Sequence, residues 1–483
     1  YLVRDRLGNR WRRWLTHRFL TRYFSHQKFY ELNAHVAIDN PDQRIAEDIN
    51  TFTQKSLFFG LILMGSLIQL AAFSKVLWSI SHELVYFLVL YASAGTLVTL
   101  RVFGKPLTLL NFLQLQREAD LRFALIRVRE NAEAIALYRG EHQEMQQVRQ
   151  RVASVIDNFT RLIHRQFFLN LFQYAYGMLT LVLPSAIIAA HVLSGQMEVG
   201  RAVQAAGAFT AVLAAISLVV DNFESLTRFA AGVDRLHAFY RTLEARPHSG
   251  LSGHTVQVLE GVDLLQVRDL TVQTPEPVRT LVRHLSLKVE PGEGLLIVGP
   301  SGSGKSALLR TITGLWPSGG GRILRPAPQH MLFLPQQPYM LLGGSLRSQL
   351  LYPDPDRQMD DVRLLDVLDQ VNLPDLARRA GGLNAELDWG KTLSVGEQQR
   401  LAFARLLLTA PRFAFLDEAT SALDLGNEAH LYRALMATKT TPISVGHRAS
   451  ILKYHAWVLE IQGEGRWQLM AAQDYRFNDQ DPS

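Results

Sequence analysis

The sequence predicts an α-helical transmembrane domain followed by an α/β domain with a largely parallel sheet. Two features support this prediction. Four long runs without Asp, Glu, Lys or Arg occur in the first half of the 483-residue chain. From about residue 264 onward, short β-rich runs alternate with helical patterns, which is typical of α/β domains.

The four uncharged runs are the candidate membrane spans. Each is long enough to cross a bilayer as a helix, which takes roughly 17–25 apolar residues. Buried helices of a large soluble domain can also lack charges, but four such runs in half a chain are too many for that explanation. The runs are Ser56–Ser74, Leu84–Leu100, Gln166–Met197 and Ala202–Val220.

The distribution of basic residues orients these spans. Residues 1–28 and 101–165 are rich in Arg, whereas the turns at 75–83 and 191–201 carry far less positive charge. Because positive loops remain in the cytoplasm, both Arg-rich segments and the C-terminal domain are expected inside. This placement accounts for part of the net charge of +6, so we expect no nucleic-acid partner. No organelle-targeting segment is visible, which favours a multi-pass protein of the cell inner membrane.

A polar segment separates the two predicted domains. An amphipathic helical pattern at 222–246 continues the last span, and the Ser- and Gly-containing stretch after it is typical of a linker. We therefore expect a transmembrane domain at 1–246, a linker at 247–263 and the α/β domain at 264–483. The chain contains no Cys, which excludes disulfides, thiolate zinc sites and Cys nucleophiles.

A glycine-rich loop follows the apolar run Leu295–Val298. It fits the pattern G-x-x-x-x-G-K-[ST] and opens a predicted helix, as a phosphate-binding loop requires. Glycines let backbone N–H groups surround phosphates, and the helix N-terminus adds positive potential. Lys305 is expected to reach the β- and γ-phosphates and Ser306 to bind Mg²⁺. The predicted nucleotide-binding residues of this loop are Gly299, Pro300, Ser301, Gly302, Ser303, Gly304, Lys305 and Ser306.

Two adjacent acids end the apolar run Phe413–Leu416. Buried carboxylates at a strand end are costly unless they meet a cation or water. Asp417 can hold Mg²⁺, and Glu418 can polarise an attacking water. An apolar strand before two acids is weak evidence alone, but these acids lie about 110 residues after the phosphate loop, which strengthens the assignment.

Together with these motifs, Leu393–Arg400 resembles the signature loop of the ABC transporter ATPase family. The resemblance covers the C-terminal half of the chain. It implies an α-helical transmembrane domain followed by an α/β P-loop ATPase domain that uses ATP and Mg²⁺. It also implies that Ser394 and Gly396 contact the γ-phosphate, although Val395 and Glu397 stand where the family usually has Gly and Gln.

The same resemblance assigns three further residues. Gln336 matches the Q-loop glutamine, Asp424 matches the D-loop, and His447 matches the switch histidine. It implies that Asp424 lies at the nucleotide. The implied catalytic residues are Glu418, His447 and Gln336, and the implied Mg²⁺ ligands are Ser306, Gln336 and Asp417.

One position departs from the family. The aromatic residue on which the family commonly stacks adenine falls at Thr274 here, and no Phe, Tyr, Trp or His occurs from Leu264 to Arg283. The adenine contact is therefore left unassigned.

Two segments next to the spans narrow the resemblance. Asn40–Asp48 and Asn131–Gly140 look like loops of the peroxisomal-type fatty-acyl transporters and of the bacterial SbmA/BacA-like transporters, where these loops touch the ATPase domain. Glu133 and Arg44 are accordingly expected to couple hydrolysis to transport through exposed ion pairs. Such half-transporters have six spans, so the first span and most of the second are expected to be missing from this chain.

The leading hypothesis is an ATP-driven half-transporter that acts as a homodimer. A signature loop is expected to close over the phosphate loop of another copy, which gives two composite ATP sites. The expected partners are a second copy, membrane lipid and a transported solute, either peptide, cobalamin-like or acyl-CoA-like. The alternatives are an ATP-gated channel or regulatory subunit, a soluble ABC-type ATPase acting on nucleic acid or ribosomes, and a cation-driven carrier. The four apolar runs argue against the soluble ATPase, and the ATPase domain argues against the carrier.

Overall fold

The computed structural model describes residues 2–34, 40–195, 197–245, 256–274, 278–354 and 356–477. The chain forms two compact units, Tyr1–Pro247 and His248–Ser483. Unit 1 is helical in the residues described, and unit 2 contains two sheets with helices. The domain and linker boundaries expected from the sequence stay predictions.

In the residues described, unit 1 contains α-helices α1 to α11, with short 3-10 or π-helical segments at Ser25–Gln27, Arg44–Asp48 and Thr99–Gly104. Serine capping separates two of them: Ser81 has extended backbone and its side chain accepts a hydrogen bond from the Leu84 N–H, so a new helix begins after it. The helices are α1 Leu2–Phe24, α2 Lys28–Ala34, α3 Pro41–Gln43, α4 Ile49–Ile80, α5 His82–Val98, α6 Lys105–Glu130, α7 Ala132–Tyr138, α8 Glu141–Leu193, α9 Val199–Ile216, α10 Leu218–Asp221 and α11 Phe223–Glu244.

Three helical stretches are long and apolar enough to cross a membrane, counted over the residues described. They are Pro41–Ile80, His82–Glu130 and Val199–Ile216, and they contain most or all of three predicted runs. The remaining run, Gln166–Met197, lies largely in α8, and part of it falls outside the described residues. Its assignment as a span stays a prediction.

A tyrosine pair joins helices in the apolar core of unit 1. The rings of Tyr91 on α5 and Tyr176 on α8 stack with centroids 4.4 Å apart, and the Tyr91 hydroxyl donates to the Tyr176 carbonyl at 2.7 Å. The Tyr176 hydroxyl lies 3.3 Å from Oγ of Ser217, which follows α9. Gly95 makes room for this pair, because a Cβ there would lie only 2.4 Å from Tyr176 Cε2. The three helical segments therefore meet at one polar point.

The environment of Arg44 differs from the exposed ion pair expected from the sequence. Its side chain is only 5% exposed, and its Nη1 donates to the Arg235 carbonyl of α11 at 2.6 Å. The Arg235 side chain is also buried and lies 3.4 Å from an Asp48 carboxylate oxygen. The prediction of an exposed coupling ion pair is therefore wrong for Arg44, because tertiary packing against α11 buries this charge. Glu133 on α7 is exposed, as the coupling role requires.

Unit 2 contains a four-stranded sheet in the order β1-β5-β2-β3 and a six-stranded sheet in the order β10-β9-β4-β8-β7-β6. The strands are β1 Gln257–Glu260, β2 Leu265–Gln273, β3 Thr280–Val289, β4 Leu295–Val298, β5 Gly319–Arg325, β6 Met331–Leu334, β7 Phe413–Asp417, β8 Thr441–Val445, β9 Trp457–Gly463 and β10 Arg466–Ala471. Strand β1 lies inside the segment expected to be linker, where it pairs with β5 in parallel.

Among the residues described, seven α-helices accompany these sheets. They are α12 Lys305–Ile312, α13 Leu346–Leu351, α14 Asp361–Gln370, α15 Leu376–Ala380, α16 Trp389–Thr392, α17 Val395–Thr409 and α18 Leu425–Ala437. Strands β4, β7 and β8 are buried at every position, so they read as continuous apolar runs rather than alternating ones.

The order of the six-stranded sheet positions the site. Strands β4, β8, β7 and β6 are successive neighbours and run parallel. Their carboxyl ends therefore meet at one edge, where ligands bind in sheets of this kind. The phosphate loop follows β4, His447 follows β8, Asp417 ends β7 and Gln336 follows β6.

Candidate nucleotide site

The phosphate loop adopts a backbone that only glycine accommodates easily. Gly299 and Gly304 have φ angles of +139° and +106°. A Cβ at Gly299 would lie 2.2 Å from the Ile461 carbonyl oxygen, and one at Gly304 would lie 2.9 Å from Leu281 Cβ. These two glycines are thus fixed both by conformation and by close neighbours.

The lysine of the loop is held inside it. The side chain of Lys305 is buried, and its Nζ donates to the carbonyls of Gly299 at 2.7 Å and Pro300 at 2.9 Å. The nearby Ser303 Oγ is buried and has no hydrogen-bond partner within the described part of the chain. A cation, a hydroxyl without a partner and a helix N-terminus suit a polyphosphate, so the loop fits ATP.

Asp417 and Ser306 form the candidate Mg²⁺ site. The Ser306 hydroxyl donates to Asp417 Oδ1 at 2.9 Å. Burial raises the pKa of the Asp417 carboxyl above its usual range, and the Ser306 hydrogen bond opposes that rise. A buried carboxylate beside a hydroxyl oxygen offers the hard oxygen ligands that Mg²⁺ prefers. This pair therefore fits the expected ion.

Glu418 is oriented through both of its carboxylate oxygens. Gln336 Nε2 donates to Oε2 at 2.8 Å, and His447 Nε2 lies 3.2 Å from Oε1. The Glu418 backbone has a positive φ of +49°, and its N–H donates to the Val445 carbonyl at 3.2 Å. Strain of this kind in a residue other than glycine is frequent at active sites. Two of the predicted catalytic residues, Gln336 and His447, thus each contact the third, Glu418.

Gln399 is a residue that the sequence reasoning missed. It lies on α17 with its side chain only 1% exposed. Its Nε2 donates to the Gln336 carbonyl and to Ser421 Oγ, both at 3.2 Å, and its Oε1 accepts from the Ala422 N–H at 3.0 Å. One amide therefore joins the segment that carries Gln336 to the segment that follows Glu418.

The signature residues occupy the start of α17. Ser394 caps this helix, and Glu397 accepts from the Ser394 N–H in return, which completes a capping box. Burial raises the pKa of Glu397, but the Arg379 hydrogen bond at 2.5 Å and the bonds from Ser394 outweigh it and lower the pKa overall. Glu397, which stands where the family usually has Gln, is thus paired with the Arg379 guanidinium.

Two further signature and D-loop positions have defined neighbours. A Cβ at Gly396 would lie 3.3 Å from the Ala422 carbonyl oxygen, whereas Val395 points outward and is 52% exposed. Asp424 caps α18, since its carboxylate accepts from the Asn427 N–H at 2.8 Å. Of the contacts that the structure describes, none joins Ser394, Gly396 or Asp424 to the phosphate loop of the same chain.

Thr274 has a structural contact of its own. Its Oγ1 accepts from the Arg279 N–H at 2.8 Å, which closes the connection between β2 and β3. Residues 275–277 lie outside the described part of the chain.

Two protein families match this chain. The ABC transporter transmembrane region 2 family matches residues 1–193, and the ABC transporter family matches residues 282–421. An ABC transporter ATP-binding protein of Synechocystis is 48% identical over 97% of this chain and 72% of its own length. ABC transporter D family member 2, chloroplastic, of Arabidopsis thaliana is 39% identical over 95% of this chain and 74% of its length.

More distant proteins are similar along the same length. The lysosomal cobalamin transporter ABCD4 of Homo sapiens is 32% identical over 95% of this chain and 81% of its own length. The structure of a bacterial Atm1-family ABC exporter with ATP bound superposes with a TM-score of 0.82 at 20% identity, over 98% of this chain and 84% of the other. The predicted fold, a helical membrane domain followed by a P-loop ATPase domain, is thereby confirmed.

Proposed function

Because this chain belongs to the ABC transporter family, we propose that its two units are the membrane and ATPase parts of a homodimeric half-transporter in a cell inner membrane. The chain hydrolyses ATP, with Mg²⁺, and couples hydrolysis to transport. The proposed boundaries are 1–246 for the membrane domain, 247–263 for the linker and 264–483 for the ATPase domain. The Arg-rich segments 1–28 and 101–165 support a cytoplasmic location for the ATPase domain.

The observation that carries the proposed mechanism is the contact of Gln336 and His447 with the two oxygens of Glu418. A carboxylate fixed on both oxygens can orient a water and accept its proton as the water attacks the γ-phosphorus. The bond from that phosphorus to the bridging oxygen then breaks, which releases ADP and inorganic phosphate. Phosphoryl transfer depends mainly on such positioning and on charge stabilisation.

The remaining site residues would bind the nucleotide and Mg²⁺ and balance the charge of the phosphates. Residues 299–306 would surround the phosphates, with Lys305 at the β- and γ-phosphates. Ser306, Asp417 and Gln336 would hold Mg²⁺, which supplies positive charge to the transferring phosphoryl group. Ser394, Gly396 and Asp424 make no described contact with their own phosphate loop. As the resemblance of the signature loop implies, we propose that they act on the nucleotide of a second copy, so each dimer would contain two composite sites.

Glu418→Gln tests this mechanism. Gln keeps the shape of the side chain but cannot accept a proton, so we expect ATP binding to persist while turnover falls below the detection limit. Binding is measured with labelled ATP, turnover by phosphate release, and dimer closure by the distance between spin labels on two ATPase domains. A variant that hydrolyses normally, or that never dimerises in ATP, would count against the assignment.

The transported solute is proposed only by class. Similar proteins include a lysosomal cobalamin transporter, and the loop resemblance adds peptides and acyl-CoA-like lipids. We therefore propose an amphipathic or hydrophilic solute of one of these three classes. Purified protein in proteoliposomes should show ATPase stimulation by one class and not by the other two. Stimulation by none of the three would refute the proposal.

A further inference from the structure

A polar cavity lies between α1 and α4 of unit 1. Its volume is about 410 Å³. Gly8 of α1 packs against Leu57 of α4, where a Cβ would lie 3.3 Å from Leu57 Cδ1, so the two helices approach closely at that point. We call this cavity the basic pocket, and the residues that matter for its chemistry are Arg4, Asn9, Arg12, Lys55, Leu57 and Phe58.

Positive charge dominates the basic pocket. Arg4, Arg12 and Lys55 line it, and the one acid that lines it, Asp5, lies 2.8 Å from Arg4 Nε. Two cations are thus left in excess over the acid, and the side chains of Asn9, Asn50 and Gln54 add three amides. Such a lining suits an anion with several acceptor oxygens, because Arg and Lys donate charge-assisted hydrogen bonds to phosphate.

The pocket also lies where charged and apolar surfaces meet. Lys55 directly precedes the uncharged run Ser56–Ser74, and the next pocket residues on α4 are Leu57 and Phe58. On the proposed orientation of the spans, this is the level of the lipid headgroups on the cytoplasmic side. A free phosphate would gain nothing from the Leu57 and Phe58 side chains, whereas a lipid would place its glycerol and upper acyl chain against them.

We propose that the basic pocket binds the phosphate headgroup of an anionic phospholipid. This inference rests on the proposed orientation but not on the proposed hydrolytic mechanism. Basic pockets between helices at the cytoplasmic face are known to suit anionic headgroups. The lipid would bridge α1 and α4 at the boundary of the membrane.

The test is native mass spectrometry of the full chain in detergent without nucleotide, titrated with phosphatidylglycerol or with phosphatidylcholine. The variant Arg12→Gln/Lys55→Gln removes two pocket cations. The variant Arg10→Gln/Arg13→Gln removes two exposed cations of α1 that do not line the pocket. Since each cation contributes about fivefold near an anionic surface, we expect about thirtyfold weaker phosphatidylglycerol binding in the first variant and a change below about threefold in the second.

A further variant distinguishes a blocked pocket from a misfolded protein. Asn9→Trp fills the pocket without changing its charge, and we expect it to lose phosphatidylglycerol binding while its ATPase activity in detergent is retained. Equal loss in the two double variants, or wild-type binding by Asn9→Trp, would overturn the proposal. So would equal affinity of the wild type for the two lipids. If the wild type bound inorganic phosphate and showed no preference for the anionic lipid, the pocket would be assigned to a soluble anion instead.

Discussion

Gln399→Met is expected to slow ATP hydrolysis without weakening ATP binding. Met has a similar shape but makes none of the three hydrogen bonds that join α17 to Gln336, Ser421 and Ala422. The two donated bonds are long, at 3.2 Å, and contribute about 0.5–1 kcal/mol each, while the Ala422 N–H left without an acceptor costs about 1–3 kcal/mol. The loss of free energy that holds the two loops beside Glu418 in place is therefore expected to be about 2–5 kcal/mol.

If about 2 kcal/mol of that loss appears in the transition state, kcat falls about thirtyfold. The KM for ATP should change less than about threefold, since no described contact joins Gln399 to the phosphate loop. Steady-state phosphate release against ATP concentration measures both constants. Tyr432→Phe is the control, because it removes a buried hydrogen bond to Ser444 Oγ at 3.0 Å elsewhere in unit 2. It should lower stability by about 1 kcal/mol and leave kcat unchanged. A Gln399→Met protein with wild-type kcat, or with a defect in KM alone, would refute the reasoning.

Three further predictions concern single residues. Lys305→Ala should abolish hydrolysis, since it removes the buried cation of the phosphate loop; turnover within threefold of wild type would disprove this. Glu133→Ala should keep hydrolysis and the melting temperature but transport less solute per ATP in proteoliposomes. Arg44→Ala should lower the melting temperature, because a buried charged hydrogen bond contributes about 1.5–3 kcal/mol. Equal melting temperatures of the two variants would contradict this. Burial lowers the pKa of His455 from 6.5 to about 4. The unfolded chain therefore binds a proton that the native state does not, and stability present above pH 6.5 is lost as pH falls toward 4. In His455→Gln, the melting temperature should fall less steeply than that of the wild type between pH 7.5 and 4.5. If the two melting temperatures fell in parallel, the prediction would be wrong.

The parts of the site that could be predicted from the sequence are those specified locally. The phosphate loop has fixed spacing between its glycines, its lysine and the strand before it, so the sequence indicates both its backbone and its chemistry. The contact of Glu418 with Gln336 and His447 follows from neighbouring parallel strands, although the sequence alone did not show which strands are neighbours. The family resemblance supplied those assignments.

Long-range contacts account for what was missed. Gln399 meets Gln336 across 63 positions of sequence, and a glutamine on a helix gives no local sign of such a partner. Arg44 looked like a solvated loop charge, but it packs against Arg235, which is 191 positions away. Strand β1 is short and lies in a polar stretch, and its pairing with β5 becomes visible only once the sheet is formed.

The close approach of Gly95 to Tyr176 has an evolutionary consequence. Any side chain at position 95 would collide with the aromatic ring, since even a Cβ would lie 2.4 Å from it. Alanine at position 95 therefore requires either a displaced Tyr176 ring or a smaller residue at position 176, and either change disturbs the ring stack with Tyr91 and the hydroxyl contact with Ser217. The two positions are expected to show epistasis: each single replacement is harmful, and part of the harm is relieved in the double replacement. Among divergent homologues, small residues at one position should accompany large ones at the other.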